Sequence, residues 1–565
     1  MSEQGQMLSS WKEISSYLGR TVRSSQRLES LGLPVHRIDG SPKAHVFAYP
    51  HELDAWLAGK IDEHKPKPRP WRLAIFVAAG LVAAGAAAFV LVKTIGSPEP
   101  GPAANSIAVM PFDDLTAEPG FGHYAAGLTE DLTSGLAGIN GFRVTGPMSA
   151  SAAKQKSLAD RETGQLLNVR NILGGSAKVE GEWVRIKVHL VDAGTGFVSW
   201  TGPYDGRTSE YYDIVEKIIR AVVENLSVTL RAGEESALRK RPTGDIEALE
   251  LYLKGRALIG RVRLETPEAA LSFLRKAVQK DPAFALAHAA VALAYIDLQT
   301  HFLMKPAEAF PKAEEAAARA LALDPNLAEA WAADAWVKFQ YKWSWEEAAV
   351  SYRRALELKP SDGLTRGMYA MLLLSGKRFK EARTEIKLAL ALDPFTPLLY
   401  ADSMWIHMSS GRPEEVLADF DRFSGRVGTD FEFAYTGAGY AYLALGRIDE
   451  AMRMFERASQ LLWNSGRAEA GLIACYLRKG DRRSAEELYA KMQEDRKHTL
   501  VSPVMLGFAA AALGETDRAL DWLRTAEEEQ DPHMPLINVY AATFVPDFAR
   551  QPGFIAVLDR LRLPH

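Results

Sequence analysis

The feature that most limits the fold of this 565-residue chain is a spacing that recurs through its C-terminal half. A small residue is followed four positions on by a bulky apolar residue, and seven positions on by a small or apolar one. The eight units that show this spacing begin at Ala270, Ala313, Ala348, Ala382, Val416, Ala451, Ala485 and Ala519, at intervals of 43, 35, 34, 34, 35, 34 and 34 residues. Residues three and four apart share one face of a helix, so the pattern predicts an array of packed helices.

Turn residues fall at matching places in these units. Glycine, which suits a left-handed helix end, precedes the second helix at Gly376, Gly411, Gly446, Gly480 and Gly514. Proline disfavours helix in the residue before it, and such pairs end units at Asp281-Pro282, Asp324-Pro325, Lys359-Pro360 and Asp393-Pro394. The first interval of 43 residues indicates an insertion of about nine residues near HFLMKPAEAF.

A 34-residue period with two antiparallel helices per unit resembles the tetratricopeptide repeat family. The resemblance spans about residues 245 to 535, and we expect the region 245–565 to hold about eight repeats and a C-terminal cap. It implies a curved stack whose concave groove binds a peptide or a partner helix. The aromatic residues of the pattern are expected in the core rather than in a ligand site.

Residues 73–92 (LAIFVAAGLVAAGAAAFVLV) carry no charge and are long enough to cross a bilayer as one helix. Four basic residues precede them: Lys65, Lys67, Arg69 and Arg72. The twenty residues after them contain one basic residue, Lys93. The positive-inside rule then places the N-terminus in the cytoplasm and the C-terminus outside a bacterial inner membrane. The alternative is an Ala-rich buried helix of a soluble domain. Pro-rich linkers, 65–72 and 93–105, flank the segment.

Gly80, Ala84 and Ala88 fall four apart in this predicted transmembrane helix. Small residues at this spacing let two helices approach closely, so the lipid bilayer and a second copy of the chain are possible partners. An Ala-rich segment also produces the spacing by chance.

Residues 1–64 predict a small module of helices and a hairpin. Ser10 and Glu13 have the capping-box spacing, and Trp11, Ile14 and Leu18 share a face of the helix they open. After Gly19, Thr21 or Ser24 can cap a second helix, VRSSQRLESL. HRIDG and KAHVFAY suggest a hairpin, and HELDAWL closes the module with Leu53, Trp56 and Leu57 in its core.

Two short helices around a tight turn form a helix-turn-helix candidate, and the second helix carries side chains that read base edges and grip phosphates. The candidate DNA-binding residues, including two from the hairpin, are Arg20, Arg23, Gln26, Arg27, Arg37 and Lys43. WKEISSYLGRTVRSSQRLESLGLPVHR followed by VFAYPHELDAWL resembles the excisionase and MerR-related winged helix-turn-helix modules. Relatives usually show Arg-Trp-Glu where this chain has Arg27-Leu28-Glu29. The resemblance implies double-stranded DNA as a partner; the alternative is that the arginines form a solvated face.

Residues 106–232 alternate short apolar strands with amphipathic helices, which predicts a mixed α/β domain with helices on one face of its sheet. SIAVMPFDDL, GLTEDL, VRNILGGSAKVEGEWVRIKVHLVDAGTG and SWTGPYDG resemble the TolB-N-terminal-like extracytoplasmic domain. That family implies a binding or packing role without catalytic residues. For the carboxylates Asp113, Asp114, Glu130 and Asp131 we expect capping and solvation rather than acid/base chemistry.

The sequence therefore predicts a multidomain chain: a winged helix-turn-helix head, one transmembrane helix, a mixed α/β domain and an all-α solenoid. Its 67 Lys and Arg against 71 Asp and Glu exclude a polycation that wraps nucleic acid along its whole length. Cys475, the single cysteine, excludes an internal disulfide and is expected in the core. No nucleotide, hydrolase or metal motif occurs, so we expect neither enzyme activity nor a cofactor. A membrane-tethered transcriptional regulator is the first hypothesis, and an envelope scaffold whose head does not bind DNA is the alternative.

Overall fold

The computed structural model describes residues 7–38, 45–62, 102–117, 122–259, 266–300, 303–428, 430–461 and 466–565. The chain separates into two compact units, Met1–Glu99 and Pro100–His565. Within the second unit lie a mixed α/β region and a long series of helical pairs, as the sequence predicted. Lys43 and the predicted transmembrane segment 73–92, with Gly80, Ala84 and Ala88, lie outside the described residues.

Among the helices that the structure does describe, none combines the length and the hydrophobicity that a bilayer crossing requires. The membrane segment stays a prediction.

In the described part of the first unit the chain forms three helices and a two-stranded antiparallel sheet: α1 Trp11–Tyr17, α2 Val22–Glu29, β1 His36–Arg37, β2 Val46–Phe47 and α3 Pro50–Asp62. Ser10 caps α1 by accepting a hydrogen bond from the backbone N–H of Glu13, and Thr21 caps α2 in the same way through Ser24. Of the two caps considered for α2, Thr21 is the one used.

A separate apolar core holds this head together. Ile14 and Leu53 are fully buried in it, and the half-buried side chains Trp11, Leu18 and Trp56 pack around them. Leu28 also packs against this core. Because the core joins all three helices, the head has the packing of an independent module.

The α/β region begins the second unit. Its strands are β3 Ser106–Val109, β4 Asp113–Asp114, β5 Arg143–Val144, β6 Asn171–Glu180, β7 Trp183–Asp192 and β8 Phe197–Arg207. Its helices are α4 Gly122–Ala137, α5 Pro147–Gln155, α6 Asp160–Leu167, α7 Tyr211–Asn225 and α8 Ala232–Leu238. The sheet is mixed: its order is β5-β3-β6-β7-β8, β3 pairs in parallel with β5 and β6, and β6 to β8 form an antiparallel meander.

Helices cover both faces of this sheet, so the expectation of helices on one face was wrong. Ile107 and Leu173 pack into the core that contains α4 and α7. Ala108 and Ile172, which point the opposite way, pack into a second core with α5 and α6. The sequence analysis did not recognise α5 and α6, whose small and polar residues give a weak helical pattern. Their presence explains why β3 is buried at every position.

Residues 246–528 form eight antiparallel helical pairs, which we number as repeats one to eight. The first helices are Ile246–Arg256, Ala285–Thr300, Ala328–Val337, Gly363–Ser375, Pro397–Ser409, Glu432–Ala444, Arg467–Arg478 and Pro503–Ala512. The second helices are Thr266–Lys280, Pro306–Leu323, Trp345–Leu358, Phe379–Leu392, Pro413–Arg426, Ile448–Leu461, Arg482–Asp495 and Thr516–Glu528. All eight residues that open the recurring pattern are 0% exposed, which confirms that the period marks the core face of the second helices.

The turns inside the repeats follow the glycine pattern with one exception. Gly411, Gly446, Gly480 and Gly514 adopt the left-handed conformation that was predicted for them. In repeat four the left-handed residue is Lys377, with φ of 54°, and Gly376 caps the first helix with φ of −81°. The glycine stands one position too early in that turn, so lysine takes the left-handed conformation.

The predicted insertion in repeat two lengthens its helices. Its first helix has 16 residues where that of repeat four has 13, and its second helix has 18 residues where that of repeat four has 14. The lengthened helices still pack in the shared core, where Leu298 and Phe310 are buried.

After the eighth pair the chain forms two further helices, Ile537–Phe544 and Pro552–Leu561, each preceded by a short 3₁₀ turn. We call residues 531–565 the C-terminal segment.

Polar contacts tie the α/β region to the repeats. Arg256 of repeat one bonds Glu130 at 2.7 Å and Asp131 at 2.5 Å, both in the middle of α4. Capping and solvation were therefore the wrong interpretation for these two carboxylates, because α4 begins earlier than the apolar pattern suggested. Tyr211 donates to Asp131 at 2.9 Å, which leaves that carboxylate with partners on both oxygens.

A second junction joins the start of α5 to the turn between repeats four and five. The buried Asp393 carboxylate accepts hydrogen bonds from the backbone N–H of Ser149 at 3.1 Å and from its hydroxyl. A Cβ at Gly146 would lie 2.3 Å from the Asp393 side chain, so only glycine allows this approach. The α/β region and the repeats thus share one polar interface.

Candidate functional site

The first helices of the repeats share one face of the stack, which we call the inner face. Trp405 of repeat five, Tyr440 of repeat six and Phe508 of repeat eight meet on it, and each is at most 3% exposed. Such a face is where tetratricopeptide stacks offer a binding groove. In this chain the C-terminal segment occupies it.

Aromatic rings join the segment to the inner face. Phe544 stacks on Tyr440 with ring centroids 3.9 Å apart, and its ring lies 5.6 Å from that of Phe508. Tyr540 lies edge-on to Trp405 at 5.3 Å. Aromatic pairs in these geometries add to the energy of apolar burial, so Tyr540 and Phe544 are the main anchors of the segment.

Hydrogen bonds to backbone carbonyls fix the ends of the segment. Asn538 donates through its amide to the Ser375 carbonyl at 2.9 Å, and Trp345 donates through its indole to the Leu561 carbonyl at 2.8 Å. Just before the segment, Gln530 donates to the Tyr341 carbonyl at 3.2 Å. The segment therefore connects the eighth repeat back to repeats three and four.

A buried charged network holds the start of the segment. Arg467 of repeat seven donates to the Glu432 carboxylate at 3.0 Å and to Nε2 of His533 at 2.9 Å. Because an arginine can only donate, His533 accepts at Nε2 and carries its proton on Nδ1, which lies 2.9 Å from Asp531. Ser502 donates to the other Asp531 oxygen at 2.7 Å. The Arg467 guanidinium also stacks over the Phe433 ring at 3.9 Å.

Repeat seven also buries the carboxyl group of Glu469. Glu469 is 1% exposed, and neither of its carboxyl oxygens has a hydrogen-bond partner among the described residues. Burial raises its pKa to about 8, with Glu432 as a further contribution. The side chain is therefore protonated at neutral pH.

Glu469→Gln tests this charge state. A carboxyl whose pKa is raised on folding favours the folded state below its ordinary pKa and disfavours it as pH rises toward 8. We expect the variant to lack this loss between about pH 5 and 8, so that its free energy of unfolding exceeds that of the original chain by roughly 4 kcal/mol at pH 8. Guanidinium unfolding followed by circular dichroism across that pH range measures it; parallel pH profiles for the two chains would contradict the assignment.

The head presents most of the predicted DNA-binding residues to solvent. Arg20, Arg23, Gln26 and Arg27 are exposed, and in the described part of the chain their side chains form no hydrogen bond or ion pair. Ser25 and Leu28, on the opposite side of α2, face the core. The structure thus leaves one face of α2 basic and unpaired.

Arg37 differs from these residues because it is already engaged. Its guanidinium bonds both carboxylate oxygens of Glu29, at 2.8 and 3.0 Å. This pair ties the hairpin to the end of α2, which indicates a structural role for Arg37 in the free protein. Its predicted contact with DNA stays a prediction.

The inner-face site was missed by the sequence analysis, which placed a cap after the repeats without assigning it contacts. The only available signal was the run INVYAATFV at 537–545, which is apolar and aromatic yet outside the repeat period. Its partners lie 30 to 170 residues away in sequence, and periodicity carries no information about such contacts. Cys475 is buried as expected, and burial raises the pKa of its thiol to about 12.

Comparisons with known proteins agree with the helical repeats. Residues 434–461, which cover repeat six, match the tetratricopeptide repeat family. A curated putative adenylate cyclase 3 of Rhizobium meliloti is 32% identical over 192 residues, which are 34% of this chain and 33% of that protein. The chain thus spans about a third of the length of this curated relative.

Parts of this chain are also similar to solved structures. Pseudomonas aeruginosa PilF is 19% identical with a TM-score of 0.31, and the match covers 39% of this chain and 95% of that one. Cut9–Hcn1 of the APC/C is 15% identical with a TM-score of 0.36, over 62% and 73% of the two chains. Residues 434–461 thus match a tetratricopeptide repeat, and the helical pairs around them form a tetratricopeptide-like solenoid, an architecture suited to binding other proteins.

Proposed function

We propose that this chain is a membrane-tethered transcriptional regulator of bacteria. In this proposal the head binds double-stranded DNA in the cytoplasm, residues 73–92 cross the inner membrane once, and the α/β region and repeats bind a protein or peptide outside. No catalytic step or cofactor belongs to it. The observation that carries the proposal is the set of free, exposed cations on α2, a helix whose other face is fixed by the head's own core.

The chemistry of α2 supports DNA as the ligand. Arg23, Gln26 and Arg27 lie three and four residues apart on the helix, so one face can enter a major groove. Arginine pairs with guanine edges or phosphates, and glutamine pairs with adenine. Arg20 stands just before the helix, where it can contact the adjacent phosphate backbone.

Two heads held on one membrane would bind DNA more tightly than one head. A second copy held beside the first turns the second binding event into an intramolecular one, with a gain of about 10²–10⁴ in avidity. The predicted contact is the small-residue stripe of Gly80, Ala84 and Ala88 in the membrane segment. A homodimer would also match the two half-sites that helix-turn-helix proteins usually bind.

The match to about a third of a putative adenylate cyclase supports a modular arrangement of this chain. That relative and this chain have only 192 matched residues, as expected of a module that occurs beside different companions. In the proposal, this chain couples such a module to a DNA-binding head.

DNA binding by residues 1–64 tests the proposal. We expect salt-dependent binding to duplex DNA that weakens by about 10²-fold or more when Arg23 and Arg27 both become alanine, because each contact contributes about 1–3 kcal/mol. Fluorescence anisotropy over a series of salt concentrations measures the affinity and its salt slope. The full-length chain in detergent should show the same loss.

Lys12→Ala provides the control for charge, because Lys12 is an exposed cation on α1 rather than α2. It should change binding much less than Arg23→Ala does. If the head binds no duplex at low salt, the regulator proposal is wrong, and the alternative of an envelope scaffold with a head that contacts no DNA takes its place.

A further inference from the structure

The C-terminal segment makes contacts that a cap of the last repeat does not need. Helix Pro552–Leu561 packs against the second helix of repeat eight, which is the position of a cap. Helix Ile537–Phe544 instead contacts the first helices of repeats four, five and eight, and its aromatic residues reach repeat six. Helix Pro552–Leu561 therefore caps the last repeat, whereas helix Ile537–Phe544 occupies the inner face.

Helix Ile537–Phe544 is too short to be stable by itself. It has eight residues, whereas isolated helices shorter than about 12–15 residues are marginal in water. Its helical form thus depends on the surface it contacts. The inner face thus binds a short helix. Binding of this kind is the helix-in-groove mode of peptide recognition.

The side chains that bind define what the inner face recognises. Tyr540 and Phe544 are four residues apart, so both rings point from one side of the helix into the pocket of Trp405, Tyr440 and Phe508. Asn538, two residues before Tyr540, donates to the Ser375 carbonyl at the end of the first helix of repeat four. Upstream, His533 supplies an acceptor for the buried Arg467.

We infer that the inner face of repeats four to eight is a binding site for a short helix bearing two aromatic residues four positions apart, and that the chain's own helix Ile537–Phe544 is its ligand in cis. A partner with the same pattern binds there only by displacing the segment. This inference rests on the proposed protein-binding role of the repeats and is independent of DNA binding by the head.

A labelled peptide of residues 531–550 added to the full-length chain tests the inference. In the original chain the tethered segment competes at an effective concentration of roughly millimolar, so the free peptide should bind poorly. In a chain with Tyr540→Ala and Phe544→Ala the competitor is weakened. We expect the original peptide to bind that chain at least 10-fold more tightly, because aromatic anchors contribute most of the affinity in such interfaces.

Two controls make the result specific. A peptide carrying the same two alanines should lose binding to the variant chain by a similar factor. A chain with Asp547→Ala, whose side chain is 98% exposed, should behave like the original chain. Circular dichroism must show that the helical content of the repeats is retained, and Phe544→Ala alone decides the question if the double variant loses it.

The inference is overturned if a folded variant binds the peptide no better than the original chain does, or if both single and double variants lose the helical repeats. In the second case the helix is a structural part of the core rather than a ligand. DNA binding by the head is measured in a separate assay that contains no C-terminal segment. A negative peptide result beside a positive DNA result would therefore contradict this inference alone.

Discussion

Arg256→Ala is expected to lower the free energy of unfolding of the second unit by about 3–5 kcal/mol, the usual cost of removing one partner from a buried ion pair. Arg256 bonds Glu130 and Asp131 across the junction between the α/β region and repeat one. Its side chain is 19% exposed and that of Asp131 is 9% exposed. Without the guanidinium, two carboxylates would remain in a poorly hydrated interface.

Neighbouring groups increase this cost. The hydroxyl of Tyr252 lies 2.8 Å from the Arg256 guanidinium, and Tyr211 is oriented by its bond to Asp131. A further pair, Lys359 and Glu329, lies in the same interface at 2.9 Å. Burial opposes ionisation of Glu329, but Lys359 lowers its pKa to about 2, so that carboxylate stays charged. Lys359 also contacts α4, because it donates to the Ser134 hydroxyl at 2.9 Å.

Unfolding in guanidinium chloride, followed by circular dichroism, measures the loss of stability as a shift of the denaturant midpoint. Arg483→Ala is the matched control, because that arginine is 88% exposed and its pair with Glu487 should change stability by less than about 0.5 kcal/mol. Adding Glu130→Gln and Asp131→Asn to Arg256→Ala should restore part of the stability by removing the unpaired charges. Equal midpoints for Arg256→Ala and Arg483→Ala would contradict the argument.

Arg467→Ala is expected to have an effect of similar size, about 3–5 kcal/mol, on the repeats that hold the C-terminal segment. Arg467 and Glu432 have side chains that are 5% and 3% exposed, so this pair is almost completely removed from water. The variant leaves the Glu432 carboxylate with the Thr436 hydroxyl at 2.8 Å. It also removes the donor that holds Nε2 of His533.

This second variant should also loosen the segment, which distinguishes it from Arg256→Ala. We expect limited proteolysis to cleave near residues 529–533 at least 10-fold faster in Arg467→Ala than in the original chain, because opening of the segment becomes more frequent. Arg256→Ala should change cleavage there much less. If the two variants are cleaved alike at this site, Arg467 does not anchor the segment.

Local patterns explain the parts of the fold that the sequence predicted. The period of about 34 residues located all eight repeats because each helix needs an apolar residue every three or four positions to pack on its neighbour. The capping residues Ser10 and Thr21 marked the starts of the head helices because their hydroxyls bond backbone groups three residues away. These signals operate within one or two turns of chain.

Errors arose where local patterns were weak or ambiguous. Helix α5 contains small and polar residues, so its pattern did not reveal that the sheet is covered on both faces. Glu130 and Asp131 seemed to open a helix because the apolar pattern began only at Leu128, whereas α4 begins at Gly122. For both helices, the elements packed against the helix determine which of its side chains are buried or paired. The residues of the helix itself do not reveal this.

Hydrogen bonds and contacts between near neighbours dictate the helical pairs, the core face of each second helix and the basic exposed face of α2, so these features could be predicted from local patterns. The pairing of Arg256 with α4 and the packing of Tyr540 and Phe544 on the inner face became visible only in the folded chain. Most of those contacts join residues more than 100 positions apart, although Phe508 and Phe544 are 36 apart. They depend on how the stack curves and where it brings its own end, and no local spacing encodes that geometry.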